Sequence, residues 1–228
     1  MSRVATPTDL LRTALTDDPA RPFLTFYDDG SDERIELSVR TFDNWVAKTA
    51  NHLQDELALS AGSTLALALP THWQAAVWLQ ACWALGVVVH PVPEDAPLPA
   101  ADATVVAEPA SGDVALTLRP ALLAGREVLG SADVFVPYAP VGPDEAALVL
   151  DGRTWSREEL GELGAQQAQQ AGIGRGARTL STLPLHDVAG IGAALLVPLA
   201  VGGSVVLCRD ADPARLDARR VTERVDAP

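Results

Sequence analysis

Apolar and polar positions along the chain change period several times, and each change marks an element. From Phe23, the run FLTFYDDGSDERIEL places two β-prone segments around an acidic, glycine-containing turn and predicts a hairpin. After Ser38, the residues Phe42, Trp45, Val46, Ala50, Leu53 and Leu57 recur at helical spacing, which predicts an amphipathic helix. Ala61-Gly62 then leads into a buried strand, TLALALP. An almost wholly apolar helix from Trp73 to Leu85 comes next, Gly86 ends it, and the strand VVVHP closes the unit.

The same order of patterns returns from Ala146 to Leu207. ALVLDGRTW predicts a hairpin, and Asp151-Gly152 between its arms predicts a two-residue turn with positive φ at both positions. Ser156 and Glu159 form a capping box for a helix carrying Leu160, Leu163 and Ala168, which stops at Gly172. The strand RTLSTLP, an apolar helix from Val188 to Val201, Gly202-Gly203 and the strand SVVLC complete the second copy. Leu69-Pro70-Thr71-His72 aligns with Leu183-Pro184-Leu185-His186. Two pseudo-repeated hairpin–helix–strand–helix–strand units predict an α/β fold with mostly parallel sheets flanked by helices. The organisation expected is a first subdomain over 1–143, including a Pro/Ala-rich connecting region, and a second over 144–228 with the C-terminal tail. The connecting region holds two β-prone runs, ATVVAE and DVFVPY, and a predicted helix near Pro120 to Leu129.

Composition narrows the function classes. A net charge of −13 over 228 residues argues against nucleic acid or an anionic membrane as partner, since both need a basic surface. The arginines of the tail from Arg215 to Arg224 alternate with Asp217 and Glu223 and read as a solvated helix face. The segment Val188 to Cys208 has no charge and is long enough to span a bilayer. Pro198 and Gly202-Gly203 make it a buried helix, a turn and a buried strand instead. Cys82 and Cys208 lie inside apolar runs and read as buried free thiols, and the N-terminus lacks a secretory h-region, so a cytoplasmic location is expected.

Other constellations carry little chemistry. His52, His72, His90 and His186 have no metal-ligand spacing. Ser181, His186 and Asp187 are neighbours, but no nucleophile elbow accompanies them, so no catalytic residue is assigned. Gly172 to Gly176 reads as a helix C-cap and turn, and Gly190-Ile-Gly192 as close helix–sheet packing. Trp45, Trp73, Trp78, Trp83 and Trp155 are expected mainly in the core.

Two longer stretches carry a family resemblance. LALALPTHWQAAVWLQACWALGVVVHPVPEDAP and STLPLHDVAGIGAALLVPLAVGGSVVL resemble the early and later motifs of the N-terminal domain of adenylate-forming enzymes: acyl-CoA synthetases, peptide-synthetase adenylation domains and luciferases. The similarity runs in order from about Thr25 to Val225. An Ala/Arg-rich, Lys-poor composition fits a shortened actinobacterial relative. The resemblance implies that the strand matching Ala146–Leu150 should run into a Ser/Thr/Gly-rich, lysine-bearing loop that cradles ATP phosphates. Asp151-Gly152 stands there instead, too short to wrap a triphosphate and negatively charged. The only lysine is Lys48, so neither of the family's functional lysines has a counterpart. The family's magnesium- and ribose-binding motifs and its mobile C-terminal domain would fall beyond Pro228. The resemblance therefore implies a degenerate ligase without adenylation activity and without cofactor, leaning away from an enzyme. Its acyl-pocket motif maps onto Pro184, His186, Asp187 and Gly190. Asp187 occupies the family's histidine position and His186 falls one step early. The ligand implied is an apolar carboxylic acid or acyl-CoA. Alternatives are a protein-interaction or homo-oligomeric module, or a subunit of an acid–CoA ligase completed by a partner.

Overall fold

The computed structural model describes residues 4–120 and 124–227. Helix α1 (Pro7–Asp17) starts from a Thr6/Asp9 capping box. The hairpin β1 (Pro22–Asp28) and β2 (Glu33–Ser38) comes next, then α2 (Val39–Asn51), which continues as a π-helical turn, His52–Glu56. Strand β3 (Thr64–Ala68), helix α3 (Trp73–Leu85) and β4 (Val88–Pro91) complete the first copy. The connecting region contributes β5 (Ala103–Ala107) and β6 (Val114–Leu116). The second copy consists of β7 (Ala146–Leu150), β8 (Arg153–Ser156), α4 (Arg157–Gln170) and β9 (Arg178–Ser181). It goes on through α5 (Val188–Ile191), a π turn, α6 (Val197–Val201) and β10 (Ser204–Arg209). Helix α7 (Pro213–Thr222) ends the fold.

The α/β expectation holds, and the two copies are interwoven. One sheet has the order β2-β1-β10-β9, the other β6-β5-β3-β4-β7-β8. Each hairpin leaves its own copy and joins the parallel strands of the other: β1 pairs with β10, and β7 with β4. Apart from β2 and β8, every strand runs parallel to its neighbours. Each sheet thus draws strands from both sides of the 143/144 junction. Periodicity alone reveals the repeat but not the exchange, because a hairpin's pattern is the same whichever sheet it joins.

Helix α3 explains why the core is continuous. Trp73, Trp78 and Trp83 on it are all buried. His72, its N-cap, packs edge-on against Phe26 of β1, with ring centroids 4.6 Å apart. Trp83 Nε1 donates to the Ala147 carbonyl of β7 at 3.2 Å. The helix is therefore enclosed by both sheets, which is why its sequence is apolar all round. Trp45 and Trp155 are only partly buried, and the Arg153 guanidinium lies 3.4 Å from the centre of the Trp155 ring.

Three expectations are corrected. The run DVFVPY forms no strand. Its segment is pinned across α2 by side chains: Asn51 Nδ2 donates to the Ala132 and Val134 carbonyls, and Tyr138 N–H donates to Gln54 Oε1. These contacts hold the run against the α2 region instead of a sheet edge. Of the helix expected near Pro120 to Leu129, residues 121–123 lie outside the described residues, and the remainder contains a single 3₁₀ turn, Arg126–Val128. The tail is not wholly solvated. Arg219 is buried, donates to Asp29 Oδ1 at 2.6 Å, and stacks 4.0 Å from the Tyr27 ring centre. The segment Val188 to Cys208 does fold as buried helix, glycine turn and strand. No helix among the described residues is long and apolar enough to cross a membrane. Both cysteines are buried and free.

Candidate functional site

In open parallel sheets, ligand sites form beyond the carboxyl ends of the strands, where loops diverge and backbone groups are free. Here four such ends converge. Pro70 and Thr71 lie after β3; Pro93, Glu94 and Asp95 after β4; Thr182, Pro184 and His186 after β9; Cys208 to Ala211 at and after the end of β10. Together they line a cleft of about 370 Å³. Thr182 also borders an adjoining apolar groove of about 410 Å³, whose walls include Leu180, Leu183, Ala193, Val197 and Leu216.

The local chain is held tightly on the His186 side. Asp187 caps α5 by accepting from Gly190 N–H at 2.6 Å, so its carboxylate is spent on the helix start. A Cβ at Gly190 would lie 1.7 Å from the Pro184 carbonyl oxygen, so only glycine lets the helix fold back under Pro184. Of the four residues expected at the pocket, Pro184 and His186 face the cleft. Asp187 and Gly190 shape the turn that presents them.

On the other side, the wall residue Asp210 belongs to a charge network that the sequence motifs do not reveal. Asp28, buried at the end of β1, accepts both arms of the Arg119 guanidinium at 2.8 and 2.9 Å, and Arg119 also reaches Asp210 at 2.9 Å. Burial alone would raise the Asp28 carboxyl, but the Arg119 fork and nearby Arg209 outweigh it and hold it below the usual range. Asp210 sits at φ 49°, which turns the chain after β10 toward the cleft. Next to this network, burial drives His72 down to about 3, so its ring is neutral and its Nδ1 accepts from Gln74 N–H. Arg119 is 91 positions from Asp28 and 91 from Asp210. The only signal that could have found them is the general convergence of loops after parallel strands.

Asp151 (φ 52°) and Gly152 (φ 74°) form the expected two-residue turn, with Leu150 and Arg153 paired across it. The turn stands exposed at the carboxyl end of β7, next to β4 in the sheet, and neither residue lines the cleft. Lys48 is far from a phosphate role. It bonds Asp133 and the carbonyls of Leu129 and Ser131, locking the connecting segment onto α2. The residues at this edge do not fit an ATP phosphate chain: the turn offers a carboxylate, and the cleft wall adds Glu94, Asp95 and Asp210 against Arg209. No cluster of His, Cys, Asp and Glu suited to a metal ion occurs among the described residues.

Comparison with known proteins agrees with this fold. The family model for AMP-binding enzymes matches residues 11–108. The N-terminal domain of FACL13 from Mycobacterium tuberculosis superposes with a TM-score of 0.77 at 17% identity, covering 96% of this chain and 61% of that one. The N-terminal subdomain of Klebsiella oxytoca NpsA, solved with anthranilyl-AMSN, gives 0.74 at 14% identity over 98% of this chain and 58% of its own. At such identities the likeness is one of fold, and the chain spans about three-fifths of these domains. A TIGR03089 family protein of Mycobacterium tuberculosis (strain ATCC 25618 / H37Rv) is 35% identical over 246 residues, covering 97% of this chain and 98% of the relative. The chain thus belongs to the TIGR03089 family, with the fold of the N-terminal domain of adenylate-forming, AMP-binding enzymes.

Proposed function

We propose that this protein is a binding module for an acyl or aryl acid, or its CoA thioester, that does not adenylate its ligand. The observation that carries this reading is the two-residue Asp151-Gly152 turn, standing where the resemblance places a phosphate loop. The binding half of the reading rests on the junction at Thr182 between a polar cleft and an apolar groove. An amphipathic ligand fits such a junction: its hydrocarbon part lies against Leu180, Leu183 and Val197, and its polar end reaches His186 and Arg209. Solved relatives of the same fold include one bound to an inhibitor and one bound to anthranilyl-AMSN, which supports a ligand site in this kind of domain.

Calorimetric titration with octanoyl-CoA and benzoate tests it. Saturable binding is expected, weakened at least tenfold by Leu183→Asp in the groove and by His186→Ala in the cleft. Absence of binding by every acid and thioester tried would overturn it. A second reading, an interaction module, is favoured by one observation: Val134, Val136 and Tyr138 are 76%, 70% and 83% exposed on one extended segment. Sedimentation at micromolar concentration separates the two, since self-association through that segment would be abolished by Val136→Lys.

A further inference from the structure

Arg209 ends β10 on the wall of the carboxyl-edge cleft, and it is the only guanidinium there among the described residues. Its direction follows from the register. Arg209 is paired with Asp28 in the parallel strands β10 and β1, so the two side chains lie on one face of that sheet. Phe26, two positions before Asp28, shares that face and packs against His72, the N-cap of α3. The face therefore looks toward α3, and Pro70, Thr71 and Pro93 to Asp95, from the second sheet, line the cleft with Arg209. Cys208, one position earlier, points the other way, against Arg219.

Arg209 stands in this cleft without an acceptor. Its side chain is only 17% exposed, yet among the described residues its guanidinium makes no hydrogen bond, and no guanidinium nitrogen is shut off from solvent. The closest carboxylate oxygen is Asp210 Oδ2, 3.7 Å from Nε and beyond hydrogen-bond reach. The two carboxylates placed to neutralise it are held elsewhere. Arg119, from the connecting region after β6, takes both oxygens of Asp28 at 2.8 and 2.9 Å and Asp210 Oδ2 at 2.9 Å. A guanidinium that has lost much of its water and gained no acceptor is incomplete. The group that completes it best is a carboxylate, whose two oxygens match its N–H fork.

We propose that Arg209 anchors the carboxylate of a free apolar acid in this cleft, and that Arg119 is the positioning residue that keeps the anchor open by withholding Asp28 and Asp210 from it. The inference rests on the reading of the cleft as a ligand site and narrows its ligand to the acid. A CoA ester offers Arg209 one neutral thioester oxygen in place of two charged ones. Its phosphates also bring further negative charge to a cleft that already holds Glu94, Asp95 and Asp210. Without Arg119, the freed carboxylates turn to Arg209 and close the site.

The test is a set of calorimetric titrations of the full chain with octanoate, octanamide and octanoyl-CoA. The expected result is saturable octanoate binding, at least tenfold tighter than that of the amide or the thioester. Arg209→Met lowers octanoate affinity at least tenfold and octanamide affinity less than threefold, a split that a merely structural role would not give. Arg119→Met also lowers octanoate affinity at least tenfold, and adding Asp28→Asn and Asp210→Asn restores it to within threefold of the parent. Should Arg119→Met fail to fold with Asp28 left buried and unpaired, the triple variant, which buries no charge there, and Arg209→Met still decide. Octanoyl-CoA binding as tightly as octanoate would overturn the inference and leave the binding module standing, whereas no binding of any of the three probes would overturn both. Octanamide binding as tightly as octanoate, an unaltered octanoate affinity in Arg209→Met, or a triple variant that stays at least tenfold weak would each overturn the inference as well.

Discussion

At the scale of single residues, two positions show how local chemistry sets the site and the fold around it. Gly190 has no room for a methyl group, because the Pro184 carbonyl occupies the space a Cβ would take. Gly190→Ala must push α5 away from the turn that carries Pro184 and His186. It should cost about 1–3 kcal/mol of stability in urea titrations, and ligand affinity in the cleft should fall with it. A variant as stable as the parent would show that the turn is looser than described. Glu223 illustrates the other kind of constraint. Its carboxylate accepts from Tyr27 at 2.6 Å, Arg34 at 2.9 Å and Arg178 at 2.6 Å. Burial alone would raise its pKa, yet these three donors outweigh burial and hold it at about 2. A carboxylate depressed in the folded state contributes stability that is complete above its unfolded pKa and is lost as pH falls through the folded one. For Glu223 that window runs from about 4.5 down to about 2. Glu223→Gln should therefore destabilise the protein by about 3 kcal/mol at pH 7, and the gap to the parent should narrow as pH falls through that window. A gap that stays constant from pH 7 to pH 3 would mean that the ion pairs are not its source.

At the scale of elements, the Asp151-Gly152 turn is the feature on which the functional reading depends. Both residues sit at positive φ, and only Gly152 does so without steric cost. Gly152→Ala should cost about 1 kcal/mol, read by thermal or urea denaturation. Because the turn lies outside the cleft, affinity for acids or thioesters should not change; a tenfold loss of affinity would place the turn in the site after all. This turn was legible from the sequence, because Asp-Gly between β-prone runs satisfies a strict backbone requirement. The capping box at Ser156 and Glu159, and the buried path from Val188 to Cys208, were legible for the same reason: local patterns with local causes. DVFVPY misled, since its β-prone residues are held by Asn51 and Gln54 of the α2 region, contacts more than 80 positions distant. Arg219 misled in the same way. Its partner Asp29 lies far back in the chain, and alternating charge in the tail resembles solvation whether or not one arginine is buried. Asp28, Arg119 and Asp210 were invisible because their meeting depends on the exchange of hairpins between sheets, which no period records.

At the scale of the whole molecule, interweaving makes the two sequence copies mutually dependent. Neither sheet is complete with the strands of one copy, and α3 packs against both, through His72 on Phe26 of β1 and Trp83 on Ala147 of β7. Unfolding should consequently be a single cooperative transition, with far-ultraviolet circular dichroism and tryptophan fluorescence changing together. Two separated transitions dividing near 143/144 would contradict this. The same architecture brings four strand ends to one cleft and leaves a separate cavity that shares no lining residue with it.

The most direct measurement of the functional reading is a thermal-shift titration with Mg-ATP, AMP, a set of fatty and aromatic acids, and their CoA esters. A ligand at a hundred times its dissociation constant adds about 2.7 kcal/mol, a shift of several degrees for a chain of this size. Binding without adenylation predicts a shift with an acid or thioester and none with Mg-ATP. A saturable shift with Mg-ATP would contradict it, and would mean that a nucleotide enters this edge despite Asp151-Gly152.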